Sequence, residues 1–261
     1  MKSFPFKLVL LSIAACGFLS FFVGKKTTNA PIKSPKNLPI ETTNLGQGVA
    51  ILELYTSEGC SSCPAADDIL RGIVGQENVF PLAFHVTYWN RLGWKDSFSQ
   101  KIFDERQYNY GARFQREGVY TPQLVVNGTD EFVGSRKNQV ENAVKKALAT
   151  PSRVRIELSK MLTDNKLAVK YKLTGDVPEA QINFAIVESN FATKVMRGEN
   201  EGRTLKHDNV VRNFEVENAK NTEGTYDVVL SKNWQLKNCA LIVFLQDTKT
   251  GQVLGASKIA L

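Results

Sequence analysis

The 261-residue sequence predicts an α/β domain followed by an all-β antiparallel, sandwich-like domain. In the first half, apolar strand-like runs alternate with stretches whose apolar residues recur at helical spacing, which is typical of an α/β fold. After residue 150 about seven short strand-like runs follow, separated by turn residues and without a long helix, which indicates an antiparallel sandwich. We therefore predict two domains, over residues 47–150 and 151–261, after an N-terminus that is not part of either.

The N-terminus has the features of a targeting segment. Lys2 and Lys7 precede an apolar stretch at residues 8–23, which predicts an export signal or a membrane anchor over residues 1–24. We expect an uncleaved anchor first and simple secretion second, with lipidation of Cys16 as a third alternative. Residues 25–46 are rich in Thr, Asn, Pro and Lys and are predicted to be a flexible tether. All three alternatives place the domains outside the cytoplasm, where a disulfide can persist.

Charge and cysteine content exclude several functional classes. The formal net charge is +7, but acids and bases are interleaved and form no basic block, so we predict no nucleic-acid partner. Four cysteines are too few for a disulfide scaffold. The only histidines, His85 and His207, lie at no metal-ligand spacing from the cysteines, so we predict no metal and no other cofactor. The membrane is expected to be contacted only through the N-terminal segment.

The first domain is organised around Cys60 and Cys63. An apolar strand is predicted at residues 50–55, Gly59 is a turn residue, and a helical pattern begins after the second cysteine. Unpaired N–H groups and the dipole at a helix N-terminus stabilise a thiolate, which predicts a lowered pKa for the Cys60 thiol. The two serines between the cysteines allow a small, reversible disulfide to close. Glu58 lies beside the thiols and either takes up a proton during exchange or is a solvated loop carboxylate.

The remaining elements of the first domain follow in order. A second buried strand is predicted at residues 79–86, parallel to the first. Asp96 or Ser97 is predicted to cap the next helix. A strand that begins at Pro122 is either an edge strand or contains a cis peptide. A tight Asn-Gly turn into another strand and a final helix complete the domain.

Several polar and aromatic side chains follow these strands. Tyr88 and Trp89 either form an apolar platform for an extended peptide or cover the core, and Trp94 is interpreted as core cover. His85 ends a buried strand and is interpreted as a satisfied core histidine rather than a catalyst. The polar segment 197–212 either binds an anion or pairs its own charges in a structured hairpin, which is the favoured interpretation.

Four segments of the sequence resemble one protein family. They read LELYTSEGCSSCP, FHVTYWNRLGWKDSF, VYTPQLVVNG and RGENEGRTLKHDNVVR. Together they are similar to domain-of-unknown-function family 1223, a bacterial, secreted, thioredoxin-like family, and the resemblance covers residues 48–261. The family pattern commonly has acidic residues where this chain has Thr87 and Asn90, so a proton-handling role at those positions is not carried over.

The order of the first domain's elements also resembles the thioredoxin fold, with CxxC before the first helix and Thr-Pro before the third strand. This resemblance implies that Cys60 is the solvent-exposed nucleophile and Cys63 the resolving thiol. It further implies that Pro122 is a cis-proline lying against the two cysteines. Thr121, which precedes it, would then offer backbone hydrogen bonds to a bound peptide.

The predicted function is thiol–disulfide exchange on extracytoplasmic protein thiols and disulfides, with the dithiol as the redox centre. The alternative from another class is a non-catalytic binding or assembly module in which the disulfide is structural. A thiol peroxidase is a third alternative, although the chain has no sequence element specific to that activity.

Overall fold

A computed structural model describes residues 41–42 and 46–261 of the chain. The predicted N-terminal segment over residues 1–24 and most of the predicted tether lie outside the described residues. The described part of the tether includes a short strand, β1 (Glu41–Thr42), which pairs antiparallel with a later strand. Within the described ranges, no helix has the length and apolar character needed to span a membrane.

The first half of the described chain has the predicted order of elements. They are β2 (Ala50–Thr56), α1 (Pro64–Ile73), β3 (Val79–His85), α2 (Lys101–Arg113), β4 (Gln123–Val126), β5 (Asp130–Val133) and α3 (Lys137–Ala149). The parallel pairing expected between the first two buried strands is observed between β2 and β3.

The start of α2 differs from the prediction. The helix begins at Lys101, with Gln100 at its N-cap, so the expected cap at Asp96 or Ser97 is wrong. The Asp96 carboxylate is occupied elsewhere, because it binds Nδ1 of His85 at 2.7 Å and accepts hydrogen bonds from two backbone N–H groups. A side chain with these tertiary partners is not free to cap a helix.

The second half of the chain consists of strands and one short 3₁₀ turn. The strands are β6 (Val154–Thr163), β7 (Lys166–Gly175), β8 (Ala180–Glu188), β9 (Phe191–Lys194), β10 (Thr204–His207), β11 (Val210–Asn218), β12 (Glu223–Val229), β13 (Cys239–Asp247) and β14 (Val253–Ala260). The short strands β9 and β10 lie outside the runs expected from the sequence. They form an antiparallel hairpin from the polar segment and the residues before it.

One large mixed sheet runs through both halves of the described chain. Its order is β14-β13-β8-β11-β3-β2-β4-β5, and a second sheet has the order β1-β6-β7-β12. The halves join where β11 pairs parallel to β3, with Val210 opposite Ala83. The division predicted at residue 150 therefore separates elements that share a sheet.

The strand that follows Pro122 lies inside this sheet. β4 pairs antiparallel with β2 on one side and with β5 on the other, so the edge-strand alternative is wrong. The Thr121–Pro122 peptide bond is cis. This strand therefore brings its first residues to the end of β2, where the chain turns toward the cysteines.

Three apolar clusters hold these layers together. Helices α1 and α3 pack on one face of β2, β3 and β4 through small and branched side chains such as Ala66, Leu70 and Val140. Helix α2 packs on the opposite face through Phe103 and Tyr110. In the second half, the two sheets bury a shared core between them. Burial of these side chains is the main force that stabilises the fold.

Arg106 of α2 connects the two halves. Its guanidinium binds both carboxylate oxygens of Glu53 on β2, at 2.5 and 2.9 Å. It also donates to the side chains of Asn183 on β8 and Gln246 on β13, at 3.3 and 3.4 Å. Because Glu53 is fully buried, its carboxylate needs a counter-charge, and the bidentate Arg106 guanidinium supplies it.

Candidate functional site

The two motif cysteines form a disulfide just before α1. Cys63 is the N-cap residue of the helix, and the Cα atoms of Cys60 and Cys63 are 5.4 Å apart. The backbone N–H of Cys63 bonds the carbonyl oxygen of Cys60 at 3.2 Å, so the disulfide closes a tight turn. The disulfide therefore lies at the N-terminus of α1, where the motif predicted the cysteines.

Both cysteines are buried, which corrects the expectation of an exposed Cys60. Each residue has 0% of its surface accessible, whereas the two serines between them are exposed. The backbone of this turn is hydrogen bonded to residues 195–203, which connect β9 to β10 and which we call the cover loop. The sequence places this loop more than 130 residues from the motif, so spacing along the chain could not reveal it.

The cover loop is hydrogen bonded to the backbone around the disulfide. The side-chain amide of Asn200 donates to the carbonyl oxygens of Glu58 and Cys60, at 2.9 Å each. The Glu199 carboxylate accepts a 3.0 Å bond from the backbone N–H of Ser61. Arg203 donates to the Asn200 side-chain oxygen at 2.7 Å and so orients the amide. The loop therefore holds the disulfide turn through the side chains of Glu199 and Asn200.

The polar segment thus contributes to a hairpin, but several of its charged side chains bind partners outside the segment and do not pair with one another. We expected Glu199, Glu201 and Asp208 to pair with the cations of the same segment. Glu199 instead binds the disulfide turn, and Asp208 accepts a bond from the backbone N–H of Asn190 at 2.7 Å. Arg212 lies 3.6 Å from Glu188 on β8.

The candidate peptide-binding residues meet beside the disulfide turn. The indole N–H of Trp89 donates to the Thr121 hydroxyl at 2.8 Å. A Cβ added to Gly59 would lie 3.2 Å from Cβ of Trp89, so the tryptophan is in close contact with the turn. Trp89 therefore connects the cis-proline segment to the residue that precedes Cys60.

Tyr88 and Trp89 are half-buried, and Pro122 is buried. The Tyr88 hydroxyl donates to Gln107 of α2 at 3.1 Å, and burial raises the pKa of this phenol. Trp94, interpreted as core cover, is half-buried and donates its indole N–H to Glu58.

Glu58 is a buried carboxylate, so its interpretation as a solvated loop residue is wrong. One carboxylate oxygen accepts the indole N–H of Trp94 at 2.8 Å. The other, Oε1, lies 3.4 Å from Nε2 of His207 on β10. The backbone N–H of Glu58 donates to Asp96 at 2.9 Å.

Asp67 brings a second carboxylate to the same place. Its backbone N–H bonds the carbonyl oxygen of Cys63, so its side chain lies one helical turn after the disulfide. Thr56 donates to Oδ2 at 3.1 Å, and Nδ1 of His207 lies 4.0 Å from the same oxygen. Burial raises the pKa of Asp67.

His85 and Asp96 form the other part of this cluster. Burial alone lowers the pKa of His85, but the Asp96 carboxylate at 2.7 Å raises it above its ordinary value. Burial alone raises the pKa of Asp96, but the charge of His85 and the donated hydrogen bonds hold it below its usual range. The His85 and His207 rings are in edge contact, with centroids 4.9 Å apart.

Five buried ionisable side chains therefore lie together against the disulfide turn: Glu58, Asp67, His85, Asp96 and His207. The sequence analysis identified Glu58 but did not assign Asp67, Asp96 or His207 to the site. One signal was present, because Asp67 lies between Ala66 and Leu70 on the apolar face of the predicted helix. In the described part of the chain, no three His, Cys, Asp or Glu side chains are arranged to hold a metal ion.

One family model and two solved structures each match most of the chain. A family model described as "Protein of unknown function (DUF1223)" matches residues 51–246. A crystal structure of a protein from Agrobacterium tumefaciens is similar with a TM-score of 0.62 and 26% identity, covering 82% of this chain and 95% of that one. HBP35 of Porphyromonas gingivalis is similar with a TM-score of 0.57 and 13% identity, covering 84% and 77%. No curated protein matches the sequence.

Proposed function

The chain belongs to the DUF1223 family of proteins of unknown function, and we propose that it is an extracytoplasmic thiol–disulfide oxidoreductase. It acts on protein thiols and disulfides through Cys60 and Cys63. One observation carries the proposal: the disulfide lies at the start of α1 against five buried ionisable side chains. Buried ionisable groups are costly, and they cluster where protons must be handled. A disulfide that only fastens a turn needs none of them.

The topology supports a thioredoxin-like classification of the first half. Its four strands have the order β3-β2-β4-β5, with α1 and α3 against one face and α2 against the other. The cis Thr121–Pro122 bond stands before β4, as this classification expects. In the second half, the two facing sheets support the sandwich-like classification. Location outside the cytoplasm is proposed on the N-terminal targeting pattern and the disulfide.

Exchange proceeds by two displacements at sulfur. When the protein oxidises a partner, a partner thiolate attacks Sγ of Cys60, the Cys60–Cys63 bond breaks, and Cys63 leaves as a thiolate. A second partner thiol then displaces Cys60, so the partner gains a disulfide and this protein gains two thiols. The reverse sequence reduces a partner disulfide. Thr121 and Pro122, with Tyr88 and Trp89 beside them, are proposed to bind the partner's extended chain.

Because both cysteines are buried, the proposal requires the cover loop to move before a partner reaches Cys60. The same burial favours a second candidate function, a binding or assembly module in which the disulfide fastens the turn. The two candidates make different predictions about reduction. Structural disulfides in exported proteins have reduction potentials below roughly −300 mV, and exchange-active pairs lie higher.

The test uses the full-length protein with the buried thiol of Cys239 replaced by Ala. We expect the disulfide to equilibrate with a dithiol reagent while circular dichroism stays native. Cys63→Ala should accumulate mixed disulfides with partner proteins, and the matched variant Cys60→Ala should accumulate none. Reduction that occurs only together with unfolding, without trapped partners, would establish the structural role instead.

A further inference from the structure

His207 lies between the two carboxylates that flank the disulfide. It is the last residue of β10, and its side chain is 1% exposed. Nε2 lies 3.4 Å from Oε1 of Glu58, and Nδ1 lies 4.0 Å from Oδ2 of Asp67. Within the described residues, neither ring nitrogen has a hydrogen-bond partner, and neither does Oε1 of Glu58.

Each carboxylate is linked to one cysteine by a short stretch of backbone. Glu58 precedes Cys60 by two residues, and Asn200 bonds both of their carbonyl oxygens. Asp67 follows Cys63 by one helical turn, and its N–H bonds the Cys63 carbonyl oxygen at 3.1 Å. The imidazole of His207 therefore faces one carboxylate from each side of the disulfide.

The other charged groups around His207 already have partners. His85 from β3 packs edge-on against its ring and is paired with Asp96 from the loop before α2. Phe98 covers a further side of the ring, with centroids 5.8 Å apart. The groups left to exchange a proton with His207 are thus Glu58 and Asp67. A histidine is suited to this task because its ordinary pKa lies near neutral pH.

We propose that His207 is a positioning residue that relays protons between Glu58, Asp67 and the Cys60–Cys63 couple, so that the proton bound by Cys63 on reduction passes through this cluster. The inference rests on the proposed exchange activity and gives a residue from the second half of the chain a role in it.

The proton balance follows from the chemistry of exchange. A partner dithiol supplies two electrons, and its own sulfur atoms become a disulfide. Breaking the Cys60–Cys63 bond releases Cys63 as a thiolate in a buried environment, where a charge is costly. Asp67, one turn away, gives up its carboxyl proton to this thiolate, and the His207 imidazolium replaces the proton on Asp67. Glu58, whose Oε1 lies 3.4 Å from Nε2, then returns a proton to His207. Of the two protons that the partner thiols release, one replaces the proton on Glu58 and the other protonates the Cys60 thiolate.

The test measures how the equilibrium between the protein disulfide and dithiothreitol depends on pH. The full-length wild-type protein, His207→Gln and the control Leu205→Ala are compared from pH 5 to 9. Because dithiothreitol supplies two protons with its two electrons, the equilibrium constant depends on pH only where the cluster binds its proton differently in the oxidised and reduced protein. There we expect the wild-type constant to change by up to tenfold per pH unit, and His207→Gln to lack this change. Leu205 is buried on the same strand and cannot titrate, so its variant should keep this change.

A second measurement covers the case in which His207→Gln does not fold. The chain has two histidines, so nuclear magnetic resonance can follow the His207 ring in the wild-type protein. Coupling is reciprocal, and the midpoint of its titration must therefore differ between the oxidised and reduced protein. Equal midpoints, or superimposable wild-type and His207→Gln curves, would overturn the relay while leaving exchange intact. A disulfide that is reduced only on unfolding would overturn both proposals.

Discussion

The side-chain amide of Asn200 donates a 2.9 Å hydrogen bond to the carbonyl oxygen of Cys60 across a sequence separation of 140 residues. A second bond of the same length reaches the carbonyl oxygen of Glu58, and Asn200 itself is fully buried. Because each bond satisfies a backbone group next to the disulfide, the cover loop and the disulfide turn are one hydrogen-bonded unit. We therefore expect access to the sulfur atoms to depend on a loop from the other half of the chain.

Replacement of Asn200 by Ala should weaken the contact between the cover loop and the disulfide turn. The variant removes the amide donor from the carbonyl oxygens of Glu58 and Cys60, and among the residues that the structure describes only the Cys60 oxygen keeps another bond, from the backbone N–H of Cys63. We expect this to cost about 1–3 kcal/mol of stability. We expect the disulfide to be reduced by dithiothreitol at least several-fold faster, measured by alkylation and mass spectrometry under native conditions. Asn183→Ala is the matched control, since Asn183 is buried and its amide bonds the backbone of Gln181 and Phe244. Equal acceleration in both variants would show that general destabilisation, and not the cover loop, controls access.

Thr121→Val should loosen the contact between the cis-proline segment and the disulfide turn. The substitution preserves side-chain shape but removes the acceptor of the Trp89 indole N–H at 2.8 Å. We expect a loss of about 0.5–1.5 kcal/mol in urea unfolding and a change in tryptophan emission. Thr129→Val is the control, because Thr129 is exposed on the turn between β4 and β5. An unchanged emission spectrum would contradict the contact.

Arg106→Met should destabilise the fold strongly because it leaves the buried carboxylate of Glu53 without a counter-charge. Removing one partner of a buried pair costs about 3–5 kcal/mol. The double variant Glu53→Gln with Arg106→Met should recover a large part of this loss. Urea unfolding of the single and double variants measures the coupling, and equal stabilities for the two would mean that the pair contributes little.

The pair of His85 and Asp96 predicts a pH-dependent stability. The pKa of His85 is raised in the folded protein, so its contribution is fully present below about pH 6.5 and is lost as the pH rises through the folded-state value. The pKa of Asp96 is lowered, so its contribution is present above about pH 4 and is lost as the pH falls through the folded-state value.

Asp96→Asn removes the negative charge that raises the pKa of His85. We expect the free energy of unfolding of this variant to decline less between pH 6 and 9 than that of the wild-type protein. Chemical unfolding at intervals across that range measures the difference. The exposed Asp68→Asn variant is the control, and a parallel pH profile for wild type and Asp96→Asn would contradict the ion pair.

Local patterns predicted much of the first half. The apolar run at residues 50–55 and the periodicity of Ala66 and Leu70 report directly on burial, so β2 and α1 could be placed from sequence. The pairing of Cys60 with Cys63 also follows from short spacing. The start of α2 could not be predicted this way, because Asp96 has the chemistry of a cap but is bound to His85. A local rule fails where a distant side chain competes for the same group.

By itself, the sequence determined the strand–helix junction that carries the cysteines and the order of elements around it. These depend on neighbours a few residues apart, whose spacing is written in the chain. Only the tertiary structure decided that Asn200 covers Cys60 and that His207 meets Glu58 and Asp67. Those contacts arise because β11 joins β3 and carries the preceding hairpin to the disulfide. Local sequence does not reveal whether an acidic or imidazole side chain is surrounded by water or buried beside another charge. That burial is decided by which distant elements pack together.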